Sequence, residues 1–177
     1  SGGRLMSSIK LKGSTSGDVT LTVPAEAGSN TLTFPAGTAN VNVVGPAFSV
    51  HGAAQTIGNA AWTKLTFNAE VFDTDAKFTS NRFTPTIAGY YQISGGLYFG
   101  ATSGACVINI YKNGGGYKRG AQGTGVSGFG MATGVSALIY LDADDFVELY
   151  VYQNSGGNAD TGAGGELKFF QGTYIRS

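Results

Sequence analysis

Glycine is the residue that most limits what this chain can become. It occupies 29 of 177 positions, against an ordinary share of about 7%. A glycine inside a helix costs about 1 kcal/mol relative to alanine, and no stretch between the glycines keeps apolar residues at helical spacing. What lies between them is short, β-branched or aromatic, and bounded by Asn, Asp or Gly. That is the pattern of strands and turns. The chain is therefore expected to be all-β, and many short strands separated by turn signals make a sandwich or a barrel.

The clearest strand runs over 89–99, with Tyr91, Ile93, Leu97 and Phe99 on one face at period two. Further strands are expected over 106–111, 135–141, 145–152 and 167–175, and shorter ones at 62–67, 71–72 and 83–84. Asn113-Gly114 is a tight-turn dipeptide. Residues 113–134 and 154–166 read as long glycine-rich loops, which in a compact domain are functional or mobile.

Charge narrows the function. Eleven basic and eleven acidic residues cancel, and charged residues make up 12% of the chain where about 25% is ordinary. A neutral chain does not suit non-specific nucleic-acid or polybasic membrane binding. No apolar run reaches the roughly 20 residues of a spanning helix. One cysteine, Cys106, excludes an internal disulfide, and one histidine, His51, removes most zinc and triad chemistry. Cys106 shares a strand face with Ile108 and Ile110 and is expected to be a buried structural thiol.

Two strands carry aromatic residues on both faces. In 145–152, Val147, Leu149 and Val151 alternate with Phe146, Glu148, Tyr150 and Tyr152; in the last strand Phe169 and Phe170 are adjacent. Tyrosine on strand surfaces is ordinary. It is also enriched in subunit interfaces, where charge is depleted. On the second reading Tyr150, Tyr152, Phe170 and Tyr174 face a neighbouring copy.

Residues 1–45 differ from the rest. The runs 19–25 and 31–36 are near copies, with Leu21 matching Leu32 and Pro24 matching Pro35. Each is a Thr-alternating strand ended by proline, which cannot donate to a ladder. This stem is too small to fold alone and would gain burial by intertwining with its neighbours. Before it, Arg4, Lys10 and Lys12 form a basic arm without acids, either docking on another protein or solvated. Residues 46–177 make the main domain.

A resemblance rests on the second part. Trp62-Thr63-Lys64-Leu65-Thr66-Phe67-Asn68-Ala69-Glu70-Val71-Phe72-Asp73, followed by Arg82-Phe83-Thr84-Pro85 and Gly89-Tyr90-Tyr91-Gln92-Ile93, resembles the central signature of complement C1q-like globular domains of the phage and bacterial type. Ile110-Tyr111-Lys112-Asn113-Gly114, Leu141-Asp142-Ala143-Asp144-Asp145-Phe146-Val147-Glu148-Leu149 and Phe170-Gln171-Gly172-Thr173-Tyr174-Ile175 look like further family segments in family order. Asp144 stands where the family has glycine, and Ile93 and Gly95 replace aromatics. The resemblance implies a ten-stranded jelly roll of the C1q/TNF kind, assembled as a homotrimer. Residues 13–25 and their repeat look like stem segments of tailed-phage fibre proteins.

Catalytic and metal chemistry find little support. Residues 123–128 match G-x-G-x-x-G, but no helix pattern follows and a dinucleotide site is not expected. Asp142, Asp144 and Asp145 are weak Ca²⁺ candidates, with turn capping as the alternative; Asp73 and Asp75 are weaker still. Trp62 suits either sugar stacking or packing at the base of the domain. In the two loops, Tyr117, Lys118, Arg119, Phe129, Asn158 and Asp160 are candidates for receptor contacts, because aromatic and amide groups suit glycans and threefold repetition adds avidity.

The expectation is a non-enzymatic, cofactor-free homotrimer in the exterior of a tailed-phage virion. Its arm would hold other virion proteins and its head a host surface glycan or protein. The first residues hold no signal-peptide core, which fits assembly in the host cytoplasm. A head fibre, decoration or tail-assembly protein capped by the jelly roll, and an extracellular C1q-like adhesin, are the alternatives.

Overall fold

The computed structural model describes residues 8–12, 15–22, 45–101 and 103–176. The chain divides into two compact units, Ser1–Val41 and Asn42–Ser177. In the first, β1 (Ser8–Lys12) and β2 (Asp18–Thr22) form an antiparallel hairpin with Ser8 opposite Thr22 and Lys12 opposite Asp18. Lys10 pairs with Asp18 at 2.6 Å. The basic arm is thus in part a strand, with one of its cations matched locally. Arg4 and the second Thr-Pro repeat lie outside the described residues.

The second unit is all-β. Its strands are β3 (Ala47–His51), β4 (Thr56–Ile57), β5 (Thr63–Lys64), β6 (Ala69–Asp73), β7 (Phe78–Thr79), β8 (Arg82–Phe83), β9 (Gly89–Phe99), β10 (Ala105–Lys112), β11 (Gly115–Thr124), β12 (Met131–Leu141), β13 (Val147–Gln153), β14 (Ala159–Asp160) and β15 (Lys168–Arg176). One layer has the order β11-β10-β13-β8-β7, with β5 also paired to β13; the other has the order β12-β9-β15-β3-β6. Since β5 and β8 meet β13 at different residues, they share one lane. The result is a sandwich of ten lanes, as the resemblance implied.

Alternation places the core between the layers. On β12, Met131, Thr133, Val135, Ala137, Ile139 and Leu141 point in while Leu138 and Tyr140 point out. On β13, Val147, Leu149 and Val151 are buried, as their spacing predicts. Phe48 anchors one end, its ring stacked on Phe83 at 4.5 Å and edge-on to Phe170 at 5.1 Å. Cys106 is buried, as expected of a structural thiol, and burial pushes its pKa up to about 12. Lys168 is also fully buried; its Nζ donates to the Ala53 carbonyl, beside the Phe67 ring, and burial pulls its pKa down.

Two sequence expectations change. The run 62–67 yields strand only at Thr63–Lys64. Residues 113–134 are not a loop: after the Asn113-Gly114 turn, both residues at positive φ (51° and 80°), the chain returns as β11 along β10 and then enters β12. Glycines hid this strand because they interrupt its alternation. Their reason is steric: a Cβ at Gly120 would run into the Gly134 carbonyl and come within 2.9 Å of the Val135 Cβ, and one at Gly123 would meet the Ala132 carbonyl. Bare backbone lets β11 lie against β12 of the other layer, where Thr133 Oγ1 donates to the Ala121 carbonyl.

Candidate functional site

The sequence candidates for receptor contact do not form one site. Tyr117, Lys118 and Arg119 lie on β11, an exposed edge strand, in the half nearer the Asn113-Gly114 turn. Phe129, 79% exposed, sits in the Val126–Gly130 turn at the opposite end of that strand. That end also gathers the 154–162 segment, where Gln153 is the organiser. Its buried amide donates to the Ile57 and Gly157 carbonyls and accepts from Ser155. Asn158 is exposed there, and Asp160 accepts from Thr56 Oγ1 at 2.6 Å. From Lys118 to Thr124 the strand runs roughly 20 Å at about 3.3 Å per residue, so the two groups are apart.

The aspartate cluster is a capped turn. Asp145 Oδ2 accepts from the Asp142 N–H at 2.9 Å and pairs with Lys112 at 2.7 Å, while Oδ1 accepts from Asn113 Nδ2 at 2.6 Å. The Asn113 bond first, and then Lys112, hold its carboxyl down at about 2. Asp144 takes a positive φ of 74°, the conformation for which glycine is the usual residue. Among the described residues no group of three His, Cys, Asp or Glu side chains converges as metal ligands.

The expected interface aromatics divide as well. Phe170 is fully buried in this chain's own core, so it cannot meet a neighbour; strand parity puts it inward, and Phe169 is the outward residue. Tyr174 is also inward, packed edge-on to Tyr91 at 5.4 Å. Tyr150 and Tyr152 do face outward, but within the chain they have company. Tyr150 stacks on Tyr111 at 4.0 Å, and Trp62 lies 5.6 Å from Tyr152 and 6.2 Å from Tyr111. Beside them Glu148, almost fully buried, accepts from Lys64 at 2.5 Å and pairs with Arg82 at 3.0 Å. Arg82 lies over the Phe146 ring at 4.2 Å. Burial, then Glu148, raises the pKa of Tyr150.

The other layer has a different outer face. From β12 it presents Leu138 (54% exposed) and Tyr140 (44%), from β9 Tyr90, from β15 Ile175, and from β6 Phe72. Tyr90 and Tyr140 are cross-strand partners with rings 5.2 Å apart. A shallow hollow of about 310 Å³ lies between Ala47, Phe72, Gln92, Ser94, Gln171 and Thr173. On β3, β9, β12 and β15 this face carries the His51 imidazole and, over Tyr90 at 5.6 Å, Arg176 at its rim; its other outward residues are uncharged. Sequence reading missed it because its exposed apolar groups are scattered over four strands of the sheet.

No protein-family profile matches the chain, and no curated protein does. Solved structures match at low identity. Eiger TNF from S. frugiperda is 12% identical over 76% of this chain and 95% of its own, with a TM-score of 0.57. The globular domain of zebrafish complement 1qA is 17% identical over 75% and 99%, at 0.54. PRD1 vertex protein P5 is 16% identical over 76% and 100%, at 0.59. The fold is a C1q/TNF-like jelly roll.

Proposed function

We propose that the protein is a non-enzymatic, homotrimeric component of a phage virion exterior, whose jelly-roll head self-associates through the outer face of the β12-β9-β15-β3-β6 layer. The observation that carries this is that face: exposed Leu138, Tyr140, Tyr90, Phe72 and Ile175 on a nearly charge-free sheet. Apolar surface of that kind marks an interaction site, and depleted charge with aromatic residues is the composition of an interface core. The trimer surface is therefore assigned to the opposite layer from Tyr150 and Tyr152. The virion setting is supported by the likeness of fold to PRD1 vertex protein P5. No helix among the described residues is long and apolar enough to cross a membrane.

In this reading the first unit attaches the head to the particle and the outward surfaces contact the host. Sedimentation of the purified chain tests the assembly: a species of three times 18.1 kDa is expected, and a monomer at micromolar concentration overturns it. Competition with intact phage for host cells tests adhesion. A trimer that binds capsid or tail but not cells assigns it instead to a decoration or head-fibre role.

A further inference from the structure

We propose that the outer face of the β11-β10-β13 layer is a binding platform for a sugar ring bearing an acidic substituent, with Trp62, Tyr111, Tyr150 and Tyr152 as its stacking surface. This deepens the adhesion reading above and rests on it, since that reading leaves this layer turned away from the trimer.

Four aromatic side chains from three separated segments converge here. Strand parity brings Tyr111 from β10 and Tyr150 and Tyr152 from β13 to one face, and the turn before β5 lays Trp62 over them. That turn is fixed by the Ala60 N–H, which donates to the Gln153 carbonyl at 2.7 Å, with Ala60 at a positive φ of 58°. The indole remains 39% exposed, so the cluster is covered without being closed. Aromatic rings present a negative face to the polarised C–H groups of a pyranose, and a tyrosine keeps a hydroxyl for hydrogen bonding at the same time.

A second observation comes from hydrogen bonding. Buried side-chain polar atoms lacking partners are rare and call for an explanation. Among the described residues these are Asp73 Oδ1, Arg82 Nε and Asn109 Oδ1. Two of the three belong to this face: Asn109 is the cross-strand partner of Tyr150, and Arg82 pairs with Glu148. Charge gives the ligand its sign. Glu148 is matched by both Lys64 and Arg82, and Arg119, opposite Asn109 on β11, adds a third cation. Three positive groups against one negative leave the face complementary to a carboxylate or other acidic sugar substituent.

The test uses the full chain and its single tryptophan, whose emission reports on the platform directly. Titration with a hexuronic-acid oligosaccharide should give a saturable change in emission, with affinity at least tenfold above that for a neutral maltohexaose. Tyr152→Ala keeps the reporter and should weaken hexuronate binding at least fivefold. Arg119→Ala, at an exposed position, should weaken it about tenfold and flatten its salt dependence. Calorimetry on Trp62→Ala should show no measurable heat. Silence of the emission towards hexuronate, equal affinity for both sugars, or a change in oligomer mass on Trp62→Ala would each overturn the assignment. A trimer that ignores hexuronate defeats the platform alone, and a monomer that binds it defeats the trimer alone.

Discussion

The two outer faces of the sandwich use the same residue types to opposite ends. On the β11-β10-β13 face the aromatics are gathered, stacked and ringed by an ion network; on the β12-β9-β15-β3-β6 face Tyr90 and Tyr140 meet edge-on, and the other exposed apolar groups are spread over a nearly uncharged surface. The first has its aromatic rings packed on one another within a single chain. The second leaves large apolar groups in water, a cost of about 25 cal/mol per Å² that only a partner removes. Aromatic content alone does not tell an interface from a platform. On the proposed reading the placement of charge separates the two.

The largest effect should come from charging the apolar face. Leu138→Glu with Tyr140→Glu is expected to reduce the sedimenting species to one 18.1 kDa chain, because unpaired carboxylates in an interface core are strongly disfavoured. An unchanged mass would mean that the two faces have been assigned the wrong way round. Next is Glu148→Gln on the other face. It leaves Lys64 and Arg82 without a counter-ion and should cost about 2 kcal/mol in denaturant unfolding, with no change in subunit number.

Gly120→Ala tests the edge where the layers meet. The added Cβ collides with backbone of β12, so a loss of about 1 to 2 kcal/mol is expected, with both faces retained. The smallest effect is acid sensitivity at the Asp145 turn. The folded carboxyl titrates at about 2 against an ordinary 3.8. A depressed acid stabilises fully above its unfolded value and loses that contribution as pH falls through its folded value. Asp145→Asn should therefore fall below the parent in melting temperature near neutral pH, and the gap should narrow between about pH 4 and about pH 2. A constant gap would deny the carboxylate its role.

The long strands were legible because period-two burial repeats enough times to be seen. Residues 89–99 read as one strand and are one. β11 was not, since its glycines answer to a backbone in the opposite layer, at Gly134 and Val135 for Gly120 and at Ala132 for Gly123. Parity also correctly placed Phe169 and Phe170 on opposite faces, but could not say which face was inside, and Phe170 proved to be core. Among the site candidates, Arg119 was picked from its loop composition and lies instead on a strand, beside a cluster whose other members come from 62 to 152. Trp62 is visible in the sequence as a sugar-stacking option, but its spacing from Tyr111, Tyr150 and Tyr152 gives no sign that the four rings meet.

Composition and spacing by themselves determined that the chain is all-β, that its core is built from alternating aliphatic and aromatic residues, and that Cys106 is buried. These are local properties, set by glycine's cost in helices and by the two-residue repeat of a strand. Which outward face is bare and which is organised was decided only by the tertiary fold. Strand order brings residues as distant in the chain as Trp62 and Tyr152, or Phe72 and Ile175, into one surface, and no local pattern carries information about that order.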